Sequence, residues 1–348
     1  MIPPNSTLPE SLRQTLQAHA QSADDELDWP TTSWTALEQN DVFRWSIPQQ
    51  YGGLELSAVE QLIRNEELAS QCLTTAFILS QREAAVSQLL KGSVQLQQRY
   101  LPGCATGKEL LTVGLSQLTT SRQHGRPALL ATLLSDGAFQ LDGSIPWVTA
   151  ADHATAIIGG ATLVDQRQLL FVIPANRSGM VIDPPMTLSA LAGSRTTAVH
   201  FNQVILPADE VLIPPMEQVL GKSGGGGLET SCLAIGLARA ALDLLRPEAA
   251  LRVEIAKTLQ TLDPQLSQLR TRLHQAAGNP AERDGILELR ADCTLFVLRT
   301  TQLALLLIKG AGFVKPHPIQ RLAQQALFFL VWSCPRPANE KIWKTLLD

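Results

Sequence analysis

The sequence predicts an α+β protein of three domains: a helical N-terminal domain, a middle β-barrel and a C-terminal helical bundle. Apolar residues recur at helical spacing up to about residue 117, and again from Leu228 onward. Between residues 118 and 215, short apolar runs alternate with turn residues, which is typical of a small barrel or sandwich. A chain of 348 residues with 45% hydrophobic content can bury cores for two or three domains.

The N-terminal domain is assigned to residues 1–117. Residues 11–20 carry apolar side chains at helical spacing, and Ser57 is a suitable N-cap for a helix that runs through Leu68. One long helix at the extreme N-terminus is prevented by prolines at positions 3, 4, 9 and 30.

The middle β domain is assigned to residues 118–215. Turns are predicted at Asp136-Gly137 and Asp142-Gly143, because Asp-Gly pairs favour tight hairpin turns. The predicted strands are residues 131–134, 138–141, 156–158, 169–173 and 199–206.

Residues 216–227 are predicted to be a flexible linker, because four glycines follow Gly221-Lys222-Ser223. A phosphate-binding loop needs a glycine five positions before this triplet, where the chain has Met216, and a preceding strand of a parallel sheet. We therefore reject a P-loop. No GxGxxG motif follows a predicted strand, which argues against a nicotinamide-binding Rossmann domain.

The C-terminal domain is assigned to residues 228–348 and is predicted to be a bundle of helices joined by short links. Small residues around Gly236 form a helix face that can pack closely against a neighbour. The apolar segment 294–308 contains Arg299 and Gln302, so we expect a buried helix and not a membrane span. Further helices are predicted over residues 249–262, 266–277, 286–307 and 319–332.

Composition indicates an enzyme-sized cytoplasmic protein. The net charge of −4, with both signs mixed, does not suggest a nucleic-acid or anionic-membrane surface. The N-terminus has no basic segment followed by an apolar one, so we do not expect secretion. Five scattered cysteines, without a CxxC pair, are expected to be reduced thiols, and no metal site is predicted.

The segment 141–150 carries the most specific chemical signal. Side chains alternate along a strand, so Trp147 and Thr149 are expected on one face. That face would offer an aromatic wall beside a short hydroxyl donor, which suits a flat ring system with polar edges, such as a flavin. On spacing alone, a core Trp beside a solvent-facing Thr is the favoured interpretation.

Five segments in chain order resemble motifs of the acyl-CoA dehydrogenase superfamily. They are residues 47–54 (IPQQYGGL), 101–107 (LPG followed by Gly107), 142–149 (DGSIPWVT), 201–208 (FNQVILPA) and 310–322 (GAGF followed by Pro318 and Arg321-Leu322). The resemblance implies FAD bound between the middle and C-terminal domains. It also implies dehydrogenation of an acyl thioester, in which a carboxylate takes the α-proton and the β-hydride moves to the flavin. An electron-transfer flavoprotein or oxygen would accept the electrons, and a homodimer or homotetramer would be the assembly.

The resemblance also implies positions for the cofactor contacts. It places Trp147, Thr149 and Ser121 against the flavin, and Gly310 and Gly312 near its adenine-diphosphate end. The family's glycine-rich flavin loop aligns with residues 115–122, where only Ser121 matches. The family's Arg-x-x-Phe-Gly segment, which reaches the pyrophosphate of FAD in a neighbouring subunit, has no counterpart after residue 243. Arg246 and Arg252 are candidate substitutes.

The catalytic base departs from the family pattern. The usual glutamate follows the Pro-x-x-Arg-Leu segment, and Ser333 occupies that position here. A serine hydroxyl cannot take an α-proton at a useful rate without its own base. Some members carry the base at the start of the first C-terminal helix, a register that falls on Gly226, and Glu229 lies about one turn later. Glu229 is therefore the predicted base, or else it only complements the helix dipole.

Two alternatives remain open. Residues 191–197 (LAGSRTT) are similar to a loop of the superfamily's flavin-dependent monooxygenases, which need no α-proton base. The first alternative is therefore a monooxygenase- or oxidase-like relative that shares the fold and the flavin but not the α-proton chemistry. Those enzymes usually rely on a histidine near the flavin, for which the candidates are His124, His153, His200 and His317. The second alternative is a non-catalytic scaffold that binds flavin or acyl groups.

Overall fold

The computed structural model describes residues 8–120, 127–221, 227–279 and 285–347, and it confirms the predicted helical, β, helical order. The helices that precede the sheet are α1 (Glu10–Ala18), α2 (Ala20–Asp25), α3 (Thr31–Gln39), α4 (Ala58–Gln71), α5 (Leu73–Leu89) and α6 (Val94–Ala105). Ser57 caps α4 as predicted, because its hydroxyl accepts from the backbone N–H of Glu60 at 3.3 Å. The Glu60 carboxylate accepts in return from the Ser57 N–H at 2.9 Å, which completes a capping box.

The predicted β domain is an eight-stranded sheet. Its strands are β1 (Leu111–Gly114), β2 (Leu129–Leu133), β3 (Phe139–Val148), β4 (Ala156–Leu163), β5 (Gln168–Pro174), β6 (Met180–Ile182), β7 (Thr197–Leu206) and β8 (Val211–Met216), and the short helix α7 (Gln117–Thr120) follows β1. Their order is β6-β7-β3-β2-β4-β5-β8, with β1 parallel to β4. Among the described residues this ladder ends at β6 and β8, so it does not close into a complete barrel.

The predicted turn at Asp142-Gly143 is wrong, because β3 continues through it. The pairing of β3 with β7 shifts register between Leu141 and Gly143. Gly143 has φ = 125°, and a Cβ at this position would overlap the carbonyl oxygen of Ala128. The glycine therefore serves an irregularity inside a long strand and not a hairpin.

The C-terminal helices are α8 (Leu228–Leu245), α9 (Val253–Gly278), α10 (Ile286–Ile308), α11 (Pro318–Phe328) and α12 (Arg336–Leu347). The two helices predicted over 249–262 and 266–277 are one helix, because α9 passes through Pro264. Proline removes one helical hydrogen bond. Apolar side chains continue at helical spacing on both sides of Pro264 and are buried, so packing outweighs that loss. They are Ile255, Leu259, Leu262, Leu266, Leu269 and Leu273.

Helix α10, with the turn after it, is longer than predicted. The stretch Ile286–Phe313 is long and apolar enough to cross a bilayer by length and composition, and half of its most apolar window is buried in the fold. It packs against α8, α9, α11 and α12. Arg290, near its start, is completely enclosed by protein, which favours a core helix.

Helices from both ends of the chain share one hydrophobic core, in which α4 and α8 approach closely. The predicted small-residue contact is confirmed at Gly236. A Cβ built on Gly236 would overlap the carbonyl oxygen of Glu66 and lie 2.8 Å from the Cβ of Ala69. The absence of a side chain at Gly236 therefore sets the distance between the N-terminal and C-terminal domains.

A buried carboxylate joins all three domains. Asp24 of α2 is 4% exposed. Its Oδ1 accepts from the Leu191 N–H of the β domain at 2.7 Å and from Gln325 Nε2 of α11 at 2.8 Å. Thr74 Oγ1 of α5 lies 3.5 Å from the same oxygen. Burial raises the pKa of Asp24, against the hydrogen bonds from Gln325 and Leu191, which lower it.

We expect Gly236→Ala to destabilise the protein by about 2 kcal/mol, because the added methyl group meets backbone that cannot move freely. Gly310→Ala is the matched control, since nothing lies within 4 Å of a Cβ at Gly310. The measurement is urea unfolding followed by circular dichroism. Equal midpoints for the two variants would contradict the close contact between α4 and α8.

We expect Asp24→Ala to lose about 2–4 kcal/mol, because three domains lose a common acceptor. Asp24→Asn should lose much less, since its amide oxygen can replace Oδ1. A carboxyl group with a raised folded pKa stabilises the fold when protonated, and wild-type stability falls as pH rises from about 4 towards that pKa. The difference between wild type and Asp24→Asn should therefore shrink with rising pH in thermal unfolding. A difference that grows over this range would contradict the burial argument.

Candidate functional site

The segment that ends β3 presents Trp147 and Thr149 differently from the prediction. Ile145 pairs with Val199 and Val148 with Thr197, so three steps along β3 oppose two along β7. This bulge breaks the alternation of side chains. Trp147 is 52% exposed, whereas Thr149, just beyond the strand, is 4% exposed. The two side chains therefore differ in exposure: the indole of Trp147 lies at the surface, and the hydroxyl of Thr149 lies beneath it.

The Thr149 hydroxyl belongs to a line of three buried hydroxyl groups. Its Oγ1 lies 3.1 Å from Thr196 Oγ1, which lies 3.0 Å from Ser194 Oγ. Thr112 of β1 donates to the Thr149 carbonyl oxygen at 2.7 Å and fixes the backbone at this point. We call Thr149, Thr196 and Ser194 the hydroxyl line.

Two strained turns hold the hydroxyl line together. Ala150 follows Thr149 with φ = 55°, and its N–H donates to the Ser194 carbonyl oxygen at 3.0 Å. The 3₁₀ turn Ala192–Ser194 is flanked by Leu191 at φ = 63° and Arg195 at φ = 48°. Non-glycine residues keep such conformations only where their surroundings enforce them, often at functional sites. Here the Arg195 guanidinium pairs with Asp152, and Leu191 is bonded to Asp24.

The contact between Thr149 and residues 194–196 is the main feature that the sequence reasoning missed. The sequence relates loop 191–197 only to a monooxygenase motif. The available signal was its Ser-x-Thr spacing, which places two hydroxyls on one side of an extended segment. Nothing local relates that segment to Thr149, because the two are 47 residues apart.

Glu229 lies in the first turn of α8 and its side chain is exposed. Its carboxylate folds back towards the start of the helix, where a Cβ on Gly227 would overlap Oε2. A carboxylate at this place is stabilised by the helix dipole. The structure therefore supplies an accessible carboxylate at the predicted position, held at a helix end.

Ser333 lies beyond α11 with φ = 44°, beside an aromatic cluster that joins α5 to α11. Trp332 stacks on Phe328, with ring centroids 5.4 Å apart, and Phe77 of α5 meets both rings edge-on. The buried Arg290 donates to the carbonyl oxygens of Phe329 and Trp332 at 2.9 Å each. Burial lowers the pKa of Arg290. The position of the family's usual glutamate is thus a firmly held turn without a carboxylate.

The two predicted cofactor glycines differ in their surroundings. Gly312 is buried, and a Cβ there would lie 2.8 Å from Ile319 Cγ2, so it serves packing between α10 and α11. Gly310 is exposed, with open space around its Cα. Ser121 lies outside the described residues, and so does His124.

The described candidate histidines have structural partners. His153 stacks on Trp29, with centroids 4.4 Å apart, and burial lowers the pKa of its imidazole. His200 Nε2 lies 2.8 Å from Asp183 Oδ2 on the exposed side of the sheet. His317 caps α11 by accepting from the Ile319 N–H at 3.2 Å. None of these arrangements resembles a free base beside the Trp147 segment.

Arg246 and Arg252, the candidate pyrophosphate ligands, are held by acids. Arg246 bonds to both carboxylate oxygens of Asp263, at 2.9 and 3.0 Å, and to Asp243 at 2.8 Å. Arg252 pairs with Glu248 at 2.8 Å and Glu254 at 3.0 Å. These ion pairs span the turn that connects α8 to α9, and both guanidinium groups are already neutralised.

A cavity of about 440 Å³ lies apart from this site, in the N-terminal domain. Its walls include Phe43, Tyr51 and Ala105, and none of the predicted site residues lines it. Among the described residues, no group of three or more His, Cys, Asp or Glu side chains is placed to hold a metal ion.

Comparisons with known proteins agree with this architecture. A family model described as the N-terminal domain of acyl-CoA dehydrogenases matches residues 6–108. The probable acyl-CoA dehydrogenase YngJ of Bacillus subtilis is 23% identical over 241 residues, which are 66% of this chain and 63% of that protein. Acryloyl-CoA reductase (NADH) of Anaerotignum propionicum is 22% identical over 89% of this chain and 85% of its own. Butyryl-CoA dehydrogenase from Megasphaera elsdenii superposes with a TM-score of 0.83 at 18% identity, covering 98% of this chain and 99% of its own.

Proposed function

Because the chain belongs to the acyl-CoA dehydrogenase superfamily, we propose that it is a flavin-dependent oxidoreductase that dehydrogenates the α,β-bond of an acyl thioester with FAD. The observation that carries the proposal is the half-exposed indole of Trp147 beside the buried hydroxyl line. An indole that is 52% exposed leaves apolar ring surface in water, which a flat ligand would cover. The nearby hydroxyls suit the polar edge of such a ligand.

The residues present fit a flavin at this position. Trp147 would cover the ring, and Thr149 would meet its polar edge. Gly310 would face the adenine-diphosphate end, since its surroundings are open, whereas the room around Gly312 is taken by Ile319. We retain Ser121 as a further contact in this proposal. When bound, FAD supplies the acceptor for the substrate's β-hydride.

The protein's own part of the reaction is to orient the thioester and to take its α-proton. Glu229 is proposed as the base, because its exposed carboxylate stands at the start of α8. A positioned carboxylate is a common general base. Gly227 has no side chain, and the Glu229 carboxylate occupies the space that a Cβ there would take.

We also propose a homodimer or homotetramer, with an electron-transfer flavoprotein or oxygen as the electron acceptor. Exposed apolar side chains of the C-terminal domain, on its helices and in the turns after them, support self-association, because large exposed apolar areas are typical of interfaces. They are Leu306, Phe313, Val314, Leu327 and Val331.

One observation favours a second candidate, a flavin-dependent oxidase or monooxygenase of the same superfamily. Ser333 stands where the usual base would be, and such enzymes need no α-proton base. A non-catalytic scaffold is the third candidate, since it too needs no base at this position.

The absorption spectrum of the purified protein, with any released flavin identified, separates the third candidate from the first two. A protein that stays colourless after incubation with FAD and FMN would support the scaffold.

We expect Glu229→Gln to slow flavin reduction by acyl-CoA at least about 100-fold, because a general base commonly contributes that much. The measurement is anaerobic stopped-flow reduction of the FAD-loaded protein. Glu254→Gln is the matched control, since Glu254 also lies in the first turn of an exposed helix end. Unchanged reduction in Glu229→Gln would remove this residue as the base. Reduction of the wild type only by an external reductant, with oxygen uptake, would favour the second candidate.

A further inference from the structure

We propose that the cavity in the N-terminal domain is a binding site for a small organic cation, an ammonium group carried on an apolar body. The site is separate from the proposed flavin site, since none of the predicted site residues lines it. Its volume of about 440 Å³ lies within the range of pockets that hold small molecules. The carrying observation is that two helix C-termini and a carboxylate without a partner meet at this cavity.

The cavity has an apolar floor and an exposed polar rim. The floor is formed by the buried side chains of Phe43 and Ala105 and by the half-buried Tyr51. Glu38 and Thr106 line the rim and are exposed. A ligand can therefore enter from solvent, cover the floor with its apolar part and keep its polar part at the rim.

Two helices end at the cavity. Glu38 lies in the last turn of α3, and Ala105 and Thr106 are the last residue and the C-cap of α6. The C-terminus of a helix carries a partial negative charge and favours cations. Neither of these two helices, both of which are fully described, has a basic residue in its last turn. Their own side chains therefore leave the negative charge of both helix ends uncompensated.

Glu38 adds a full negative charge at the same place. An acid in the last turn of a helix is unfavourable, because it meets the negative end of the helix dipole. Within the described part of the chain, the Glu38 carboxylate has no hydrogen-bond or ion-pair partner. A Cβ on Gly107 would lie 3.3 Å from Glu38 Cδ and 3.1 Å from Phe43 Cδ2, so the carboxylate stands beside the apolar floor. An ammonium group bound there would supply the missing positive charge.

Arg44, the one basic side chain among the described residues that line the cavity, is already paired. Its Nη1 lies 3.0 Å from Asp41 Oδ1, and its Nε donates to the Gly52 carbonyl oxygen at 2.9 Å. Because Arg44 neutralises Asp41, the charge that remains in the cavity is that of Glu38. An anionic ligand would meet this carboxylate and two negative helix ends, so the cavity selects ligands by the sign of their charge.

The test compares two probes of the same shape. In 2-phenylethylammonium the ring can cover the floor while the ammonium group reaches Glu38, and 2-phenylethanol has the same body with a neutral hydroxyl. We expect the full-length protein to bind the cation about tenfold more tightly than the alcohol, because an exposed ion pair and two helix ends add modest terms. The measurement is a ligand-observed NMR titration at low ionic strength, since salt screens exposed charges.

Glu38→Gln should reduce the preference for the cation to about threefold, because the helix ends remain, and it should leave binding of the alcohol unchanged. Glu26→Gln is the matched control, since Glu26 is an exposed acid of the same domain that does not line the cavity. It should keep the wild-type preference. Thr106→Leu, at the exposed rim, should weaken binding of both probes by filling the cavity.

A wild-type protein that does not bind the cation, or that binds both probes equally, would overturn this inference. An unchanged preference in Glu38→Gln would overturn it as well. The titration needs no flavin, so its result does not depend on the proposed function, and a protein that binds no flavin would leave this inference standing.

Discussion

The architecture depends on a single desolvated carboxylate at the junction of three domains. Asp24 satisfies a backbone N–H of the β domain and an amide of the C-terminal bundle with one oxygen. Because it is buried, no water can take over either bond if a domain shifts. The domains are therefore held in one relative position by a polar contact, in addition to the shared apolar core with its close approach at Gly236.

The Asp24 carboxylate is also connected to the candidate site, because it accepts a hydrogen bond from the Leu191 N–H. That residue begins the left-handed turn whose other end carries Ser194 and Thr196, and those hydroxyls lead to Thr149. A displacement of α2 or α11 would thus be felt at the hydroxyl line through a short series of hydrogen bonds. The candidate site is part of the sheet, but its geometry is maintained from the helical domains.

The sequence correctly predicted those structural features that can be recognised from a short stretch of residues. The capping box at Ser57, the buried α10 and the close packing at Gly236 all follow from neighbouring residues in the sequence. The errors arose where distant partners intervene. The β3 bulge depends on pairing with β7, and α9 continues through Pro264 because other helices cover its apolar face. The contact between Thr149 and Thr196 forms only in the folded sheet. The sequence motif therefore located the segment that carries Thr149, but it could not predict which side chains contact it.

The connectivity of the Asp24 junction has a consequence for folding order. Its partners Leu191 and Gln325 are 167 and 301 residues away along the chain. The entropy of closing such loops has to be overcome before these bonds can form, so they belong to the final docking of domains that already exist. Contacts formed after the rate-limiting barrier affect escape from the native state more than entry into it. Loss of the junction should therefore raise the unfolding rate more than it lowers the folding rate. The change should appear in the unfolding limb of a chevron plot.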